Sequence, residues 1–236
     1  MGAIGDNLQA VRARIAAAAA SAGRDPAGVG LLAVSKTFDA GAVVAARAAG
    51  QRAFGESYVQ EAVDKIAAIP DPGIEWHFIG PLQSNKTRLV AEHFDWVHSV
   101  SSLKIARRLS EQRPVQRGVL SVCLQVNVSG EATKAGVSEA ELPALVAEVA
   151  TLPGLRLRGL MCIPAPADGF EAQRLPFASL ARMRDRLVAA GFSMDTLSMG
   201  MSDDLEAAVA EGATWVRVGT AIFGARAAAT AGTIGR

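Results

Sequence analysis

Apolar runs bounded by turn residues recur eight times along this chain, and a helical pattern separates each run from the next. The runs fall near residues 29–35, 52–54, 75–79, 95–98, 119–126, 155–160, 196–199 and 214–218. The helical stretches fall near 39–49, 56–68, 84–93, 102–113, 138–150, 174–190 and 203–211. Alternation of this kind lays parallel strands in one sheet and puts helices over it. An open doubly wound sheet and a closed TIM barrel both satisfy it. The chain has 236 residues and no linker that divides it. Eight repeats within that length favour the (β/α)8 barrel, which typically takes about 250 residues. An extra helix precedes the first strand at about residues 6–22, with Asp6 or Asn7 as its cap and Gly23 near its end. The expected organisation is one α/β domain over residues 1–236, with the barrel over about 29–226.

Charge narrows the function classes. There are 24 Lys and Arg against 23 Asp and Glu, a formal net charge of +1. Nothing in that balance forms a surface for nucleic acid or a membrane. The start, Met1 to Asp6, lacks a basic region followed by an apolar core, and Ala16–Ala20 is too short to span a bilayer. A soluble cytoplasmic protein is expected. Cys123 and Cys162 lie in apolar strand-like runs and read as buried reduced thiols. Three histidines with no cluster at ligand spacing argue against zinc.

In a barrel, chemistry sits at the carboxyl-terminal ends of the strands. The first strand ends in Ser35-Lys36-Thr37. A lysine in an apolar pocket loses its charge more easily, and a neutral amine can attack a carbonyl to form a Schiff base. The seventh ends in Ser198-Met199-Gly200-Met201-Ser202-Asp203, and the eighth in Arg217-Val218-Gly219-Thr220. Glycine admits an anion to the backbone and the hydroxyls donate to it, in the loops where many barrels hold phosphate. Ser202 or Asp203 can equally cap the following helix with no ligand present. Arg217, flanked by apolar residues, needs a partner if it faces the interior, and Glu56 or a cofactor ring nitrogen would serve. His77 reads first as a satisfied core histidine. The Ile163–Arg174 stretch is the longest irregular one, either a lid or a plain surface loop. Gly80 to Thr87 approaches a P-loop, but Asn85 replaces the second glycine and Pro81 lacks a donor, so the segment is expected to open the next helix.

Taken together, these segments resemble the pyridoxal phosphate homeostasis protein family, the YggS-type proteins. The segments are Leu32–Thr37, Phe54–Glu61, Trp76–Lys86, Gly159–Met161, Leu197–Asp204 and Val216–Gly224. The resemblance implies a single barrel like the catalytic half of alanine racemase, a fold-type III pyridoxal phosphate-binding fold. It implies that Lys36 holds pyridoxal 5'-phosphate as a Schiff base. Ser202, Gly219 and Thr220 would hold the phosphate, with Gly200 allowing close approach. Arg217 would face the pyridine nitrogen, and Met199 and His77 would line the pocket. It further implies a role in vitamin B6 homeostasis, buffering or delivering the cofactor to pyridoxal phosphate-dependent apoenzymes, with little or no catalysis. An arginine at the ring nitrogen weakens the cofactor as an electron sink, and the chain lacks length for a second domain carrying another acid/base. An amino-acid racemase is the alternative. One departure stands out: the family usually has Asn where this chain has Ser57. A lone barrel leans toward a monomer.

Overall fold

Each apolar run forms a strand, and together they close. In a computed structural model of the chain, residues 2–130 and 135–225 are described. Arg226, the expected limit of the barrel, lies outside them. The strands are β1 (Gly30–Val34), β2 (Ala53–Glu56), β3 (Glu75–Phe78), β4 (Trp96–Val100), β5 (Leu120–Gln125), β6 (Leu155–Met161), β7 (Thr196–Ser198) and β8 (Trp215–Val218). All pair in parallel in sequence order, and β8 returns to β1 with Leu32 opposite Arg217. The helices are α1 (Ala3–Ser21), α2 (Ala40–Ala48), α3 (Val59–Ala68), α4 (Thr87–His93), α5 (Leu103–Gln112), α6 (Leu142–Val149), α7 (Phe170–Ala189), α8 (Leu205–Ala210) and α9 (Thr220–Phe223). The expected (β/α)8 barrel with an extra amino-terminal helix is the fold observed.

Strand geometry sends successive side chains to opposite faces. Phe54, Phe78, Val97, Val122, Leu124, Leu160, Val216 and Val218 join the helices in one buried apolar layer. Trp96, Cys123 and Met161 form a separate buried cluster. They alternate with residues of the outer layer and so line the interior. The outer layer supplies most of the hydrophobic burial that opposes chain entropy.

Two helix starts, those of α1 and α7, differ from expectation. Helix α1 starts at Ala3 after Gly2, so neither Asp6 nor Asn7 caps it. Asp6 sits in the first turn, where a carboxylate favours the exposed N–H groups. Asn7 Nδ2 donates to the Ile222 carbonyl at 2.9 Å and ties α1 to α9. Helix α7 starts at Phe170, so the irregular stretch after β6 is shorter than expected. The helix runs through Pro176, at the loss of one intrahelical bond to the Ala172 carbonyl.

Candidate functional site

Closure of the barrel puts the ends of β7, β8 and β1 side by side. Lys36 follows β1 at that rim and is half-buried in a turn. One ionic network grips the residues on both sides of it. Buried Ser35 donates its hydroxyl to Glu56 Oε1 at 2.7 Å. Lys65 Nζ, on α3, donates to the Ser35 carbonyl at 2.9 Å, to Glu56 Oε1 at 2.6 Å and to Glu61 Oε1 at 3.1 Å. The Thr37 N–H donates to Glu61 Oε1 at 2.6 Å. Thr37 has φ +69, a left-handed conformation that costs a β-branched residue about 1–3 kcal/mol and persists only where neighbours enforce it. The turn that presents Lys36 is thus fixed from both flanks.

Glu56 is one of the two partners that would serve an inward-facing Arg217, a cofactor ring nitrogen being the other. Glu56 faces the other way. Gly55 points inward, where a side chain would meet Leu32, so Glu56 points toward α3 and pairs with Lys65. Burial pushes the Glu56 carboxyl up, and the Lys65 ammonium and Ser35 hydroxyl draw it back. Its Oε2 has no hydrogen-bond partner among the described residues. Sequence reasoning missed Lys65 and Glu61 as supports of Lys36. The one available signal was their i, i+4 spacing on a helix.

The loop after β7 carries Gly200 and Ser202. Gly200 has φ +90, and a Cβ there would lie 2.5 Å from the Ala208 Cβ. Its carbonyl accepts from the Arg217 N–H at 2.9 Å. The close approach that requires glycine is therefore to α8. Neither Ser202 nor Asp203 caps α8: the cap position is Asp204, whose Oδ1 accepts from the Met201 N–H at 2.6 Å. The Ser202 carbonyl accepts from Arg14 Nη2 at 3.0 Å. At the end of β8, a Cβ on Gly219 would lie 3.1 Å from the Val34 carbonyl oxygen, so glycine lets this turn lie against the end of β1. Thr220 is exposed at the first position of α9. Lys36, Gly200, Ser202, Gly219 and Thr220 are thereby gathered on three adjacent strand ends. Between the stretch after β6 and this rim lies a cavity of about 270 Å³ whose wall includes Pro164, Pro166, Met201 and Asp204.

Arg217 lies beneath the rim, fully inside the barrel. Its Nη1 donates to Ser198 Oγ at 2.9 Å and its Nη2 to the Cys162 carbonyl at 2.9 Å. Burial lowers its guanidinium from the ordinary value, yet an arginine remains charged. The structure does not bring His77 and Met199 to the mouth. The buried His77 ring stacks on Trp96 at 5.5 Å, and its two nitrogens contact Glu75 and His98. Met199 is buried in the layer between strands and helices. Ser57 sets its backbone against Gly80, where a Cβ would lie 2.3 Å from the Ser57 carbonyl oxygen.

In the P-loop-like segment, Thr87 is buried, and its hydroxyl contacts the Ser84 carbonyl and Gln112 Oε1 rather than an open cradle; helix α4 starts there. Both cysteines are free and buried, and desolvation pushes the Cys162 thiol up to about 12, which leaves no thiolate for nucleophilic work. Among the described residues, no group of His, Cys, Asp or Glu has the makings of a metal site. No helix among them is long and apolar enough to cross a membrane.

A sequence profile of the alanine racemase N-terminal domain matches residues 7–227. The pyridoxal phosphate homeostasis protein of Pseudomonas aeruginosa is 62% identical over 226 residues, covering 96% of this chain and 97% of the relative. The chain belongs to the pyridoxal phosphate homeostasis protein family. The Escherichia coli K12 member of that family is 55% identical over 230 residues, covering 94% of this chain and 97% of its own. The solved structure of PipY from Synechococcus elongatus with PLP bound superposes with a TM-score of 0.81 at 41% identity, covering 94% of this chain and all of that one. The family resemblance read from the strand-end motifs is thus confirmed, and so is the alanine racemase-like barrel.

Proposed function

We propose that this protein binds pyridoxal 5'-phosphate, with Lys36 as its covalent anchor through a Schiff base, and serves intracellular vitamin B6 homeostasis by buffering or delivering the cofactor. The observation that carries the reading is the gathering of an amine, two hydroxyls and a glycine turn on the adjacent ends of β7, β8 and β1, with Arg217 below. The donor set fits the group. Pyridoxal phosphate supplies an aldehyde for a primary amine and a phosphate for hydroxyl and amide donors. Lys36 supplies the amine. Ser202 and Thr220 supply hydroxyls that cap neither following helix. The names of the relatives and the bound cofactor of PipY support the same ligand.

Little or no turnover belongs to this reading. Arg217 holds its proton on its own guanidinium and donates without giving that proton up, so a ring nitrogen facing it stays unprotonated. The protein acts as one domain and one monomer in the cytoplasm, and its recipients are pyridoxal phosphate-dependent apoenzymes.

The test is spectroscopic. Purified protein incubated with pyridoxal phosphate is expected to gain a visible absorption band, and borohydride should fix the cofactor on Lys36 in a peptide map. Lys36→Ala should lose both the band and the adduct while keeping the fold. Undiminished trapping in that variant would move the anchor to another lysine. Conversion of an amino-acid enantiomer at the rate of a dedicated racemase would overturn the non-catalytic role.

A further inference from the structure

A single line of hydrogen bonds crosses the inside of the barrel. It starts at Arg217, whose Nη1 donates to Ser198 Oγ at 2.9 Å. Ser198 Oγ lies 2.7 Å from His98 Nδ1. His98 Nε2 lies 2.9 Å from His77 Nδ1, and His77 Nε2 lies 2.6 Å from Glu75 Oε1. The five side chains come from β8, β7, β4 and β3. The first four are buried, and Glu75 is the member that reaches solvent, at the opposite end of the barrel from Lys36.

Donor counting gives this line a direction. Arginine has no acceptor, so Ser198 Oγ accepts at that contact and its own proton points to His98 Nδ1. A neutral His98 then carries its proton on Nε2 and donates to His77 Nδ1. His77 likewise carries its proton on Nε2 and donates to the Glu75 carboxylate. Every link holds one proton, and both imidazoles are neutral. The opposite order fails at both ends. It leaves the serine proton without an acceptor at the top, and at the bottom sets the bare His77 Nε2 against a carboxylate. Desolvation lowers the His98 imidazole well below its ordinary value, and Arg217 adds to the effect; desolvation also lowers His77, against the pull of Glu75 and Asp95.

We infer that Glu75, His77, His98 and Ser198 are positioning residues for Arg217, joined in a one-way hydrogen-bond chain that fixes its guanidinium below the rim. What Arg217 faces there rests on the cofactor reading above; the chain itself does not. The chain explains why two histidines stand in an interior that apolar residues would otherwise fill. It also gives the buried Arg217 cation aligned dipoles that end on a carboxylate, where its direct partners among the described residues are a hydroxyl and a carbonyl.

Proton–nitrogen NMR of the imidazoles decides the matter in the protein without added cofactor. At neutral pH both His77 and His98 should be neutral and protonated on Nε2. Glu75→Ala, a change to a half-exposed side chain, should shift the His98 signals although Glu75 does not touch His98. Glu75→Gln, which keeps an acceptor oxygen, should restore them. Protonation of either ring on Nδ1, or His98 signals unmoved in Glu75→Ala, would overturn the chain. With pyridoxal phosphate added, Glu75→Ala and Ser198→Ala should each weaken binding about tenfold and displace the absorption band, with Glu75→Gln close to wild type. Unchanged affinity and band in both alanine variants would overturn the positioning role. A wild-type protein that takes up no pyridoxal phosphate would sink the cofactor reading instead, and the NMR result would stand on its own.

Discussion

The two faces of the same eight strands are built on opposite principles. The face toward the helices is apolar over most of its area, Glu56 being the charged exception, and its apolar side chains are interchangeable in kind: Phe54, Phe78, Val97, Leu160 and Val216 all do the same job. The face toward the barrel interior holds His77, His98, Ser198 and Arg217, each with a named partner. The outer face stabilises by area and tolerates changes of shape that keep volume. The inner face stabilises only if every donor meets its acceptor. A fold can therefore be specified redundantly on one side of a strand and exactingly on the other.

The largest effect should come from the outer face. Phe54→Ala removes a fully buried ring between strand and helix and should cost about 3–5 kcal/mol in denaturant unfolding, while cofactor affinity of the folded fraction stays unchanged. A loss of affinity at full folding would blur the separation of the two faces.

The network outside β1 and β2 tests what happens when polar exactness is placed within the apolar layer. Lys65→Met leaves the Glu56 carboxylate buried and unpaired, and should cost about 3–5 kcal/mol at neutral pH. Burial already raises the Glu56 carboxyl, and without the ammonium it rises further. Protonation then relieves the penalty, so the deficit against wild type should shrink as the pH falls. A deficit independent of pH would show that the loss is packing alone.

The interior histidines carry a pH signature of the opposite sign. Burial lowers both imidazoles below their ordinary value of about 6.5. The unfolded chain then binds protons that the folded chain refuses. Their contribution is fully present above about pH 6.5 and falls with acidification, by up to about 1.4 kcal/mol per pH unit for each histidine. Urea unfolding between about pH 7.5 and 5.5 should show this slope, and His98→Gln, at the more strongly lowered ring, should remove the larger share of it. Glu56 is common to both chains, so its contribution cancels in the comparison. An equal slope in the two chains would mean that His98 is charged inside the barrel.

The smallest effect lies at the rim. Thr37→Asn keeps the backbone N–H that Glu61 accepts and puts a residue tolerant of left-handed φ at +69. It should gain up to about 1 kcal/mol in stability. A loss instead would mean that the threonine side chain itself supports the turn.

Much of the molecule was legible in the residue order. Aliphatic runs spaced by helical patterns located all the strands, because a strand buried on both faces must be apolar over most of its length. The turns at Ser35-Lys36-Thr37 and Gly219-Thr220 were legible because chemistry and glycine stand out against such runs. Helix starts were less so. Asp6 and Ser202 look like caps, yet the chain enters α1 earlier and α8 later, since tertiary contacts outweigh a single capping bond. Gly200 looked like room for an anion, and its packing against Ala208 was not legible.

The sequence by itself determined eight strand–helix repeats, which favour a barrel over an open sheet, and which strand ends carry its amine, hydroxyl and glycine residues, because periodicity and turn chemistry are local. Only the tertiary structure decided that Glu56 answers to Lys65, that Met199 faces the helices, and that His77 and His98 connect Glu75 to Arg217. Those partners are set by which face of a strand a side chain takes and by closure of the barrel, which brings residues as distant as His98 and Ser198 within 2.7 Å. Neither is written in any short stretch of residues.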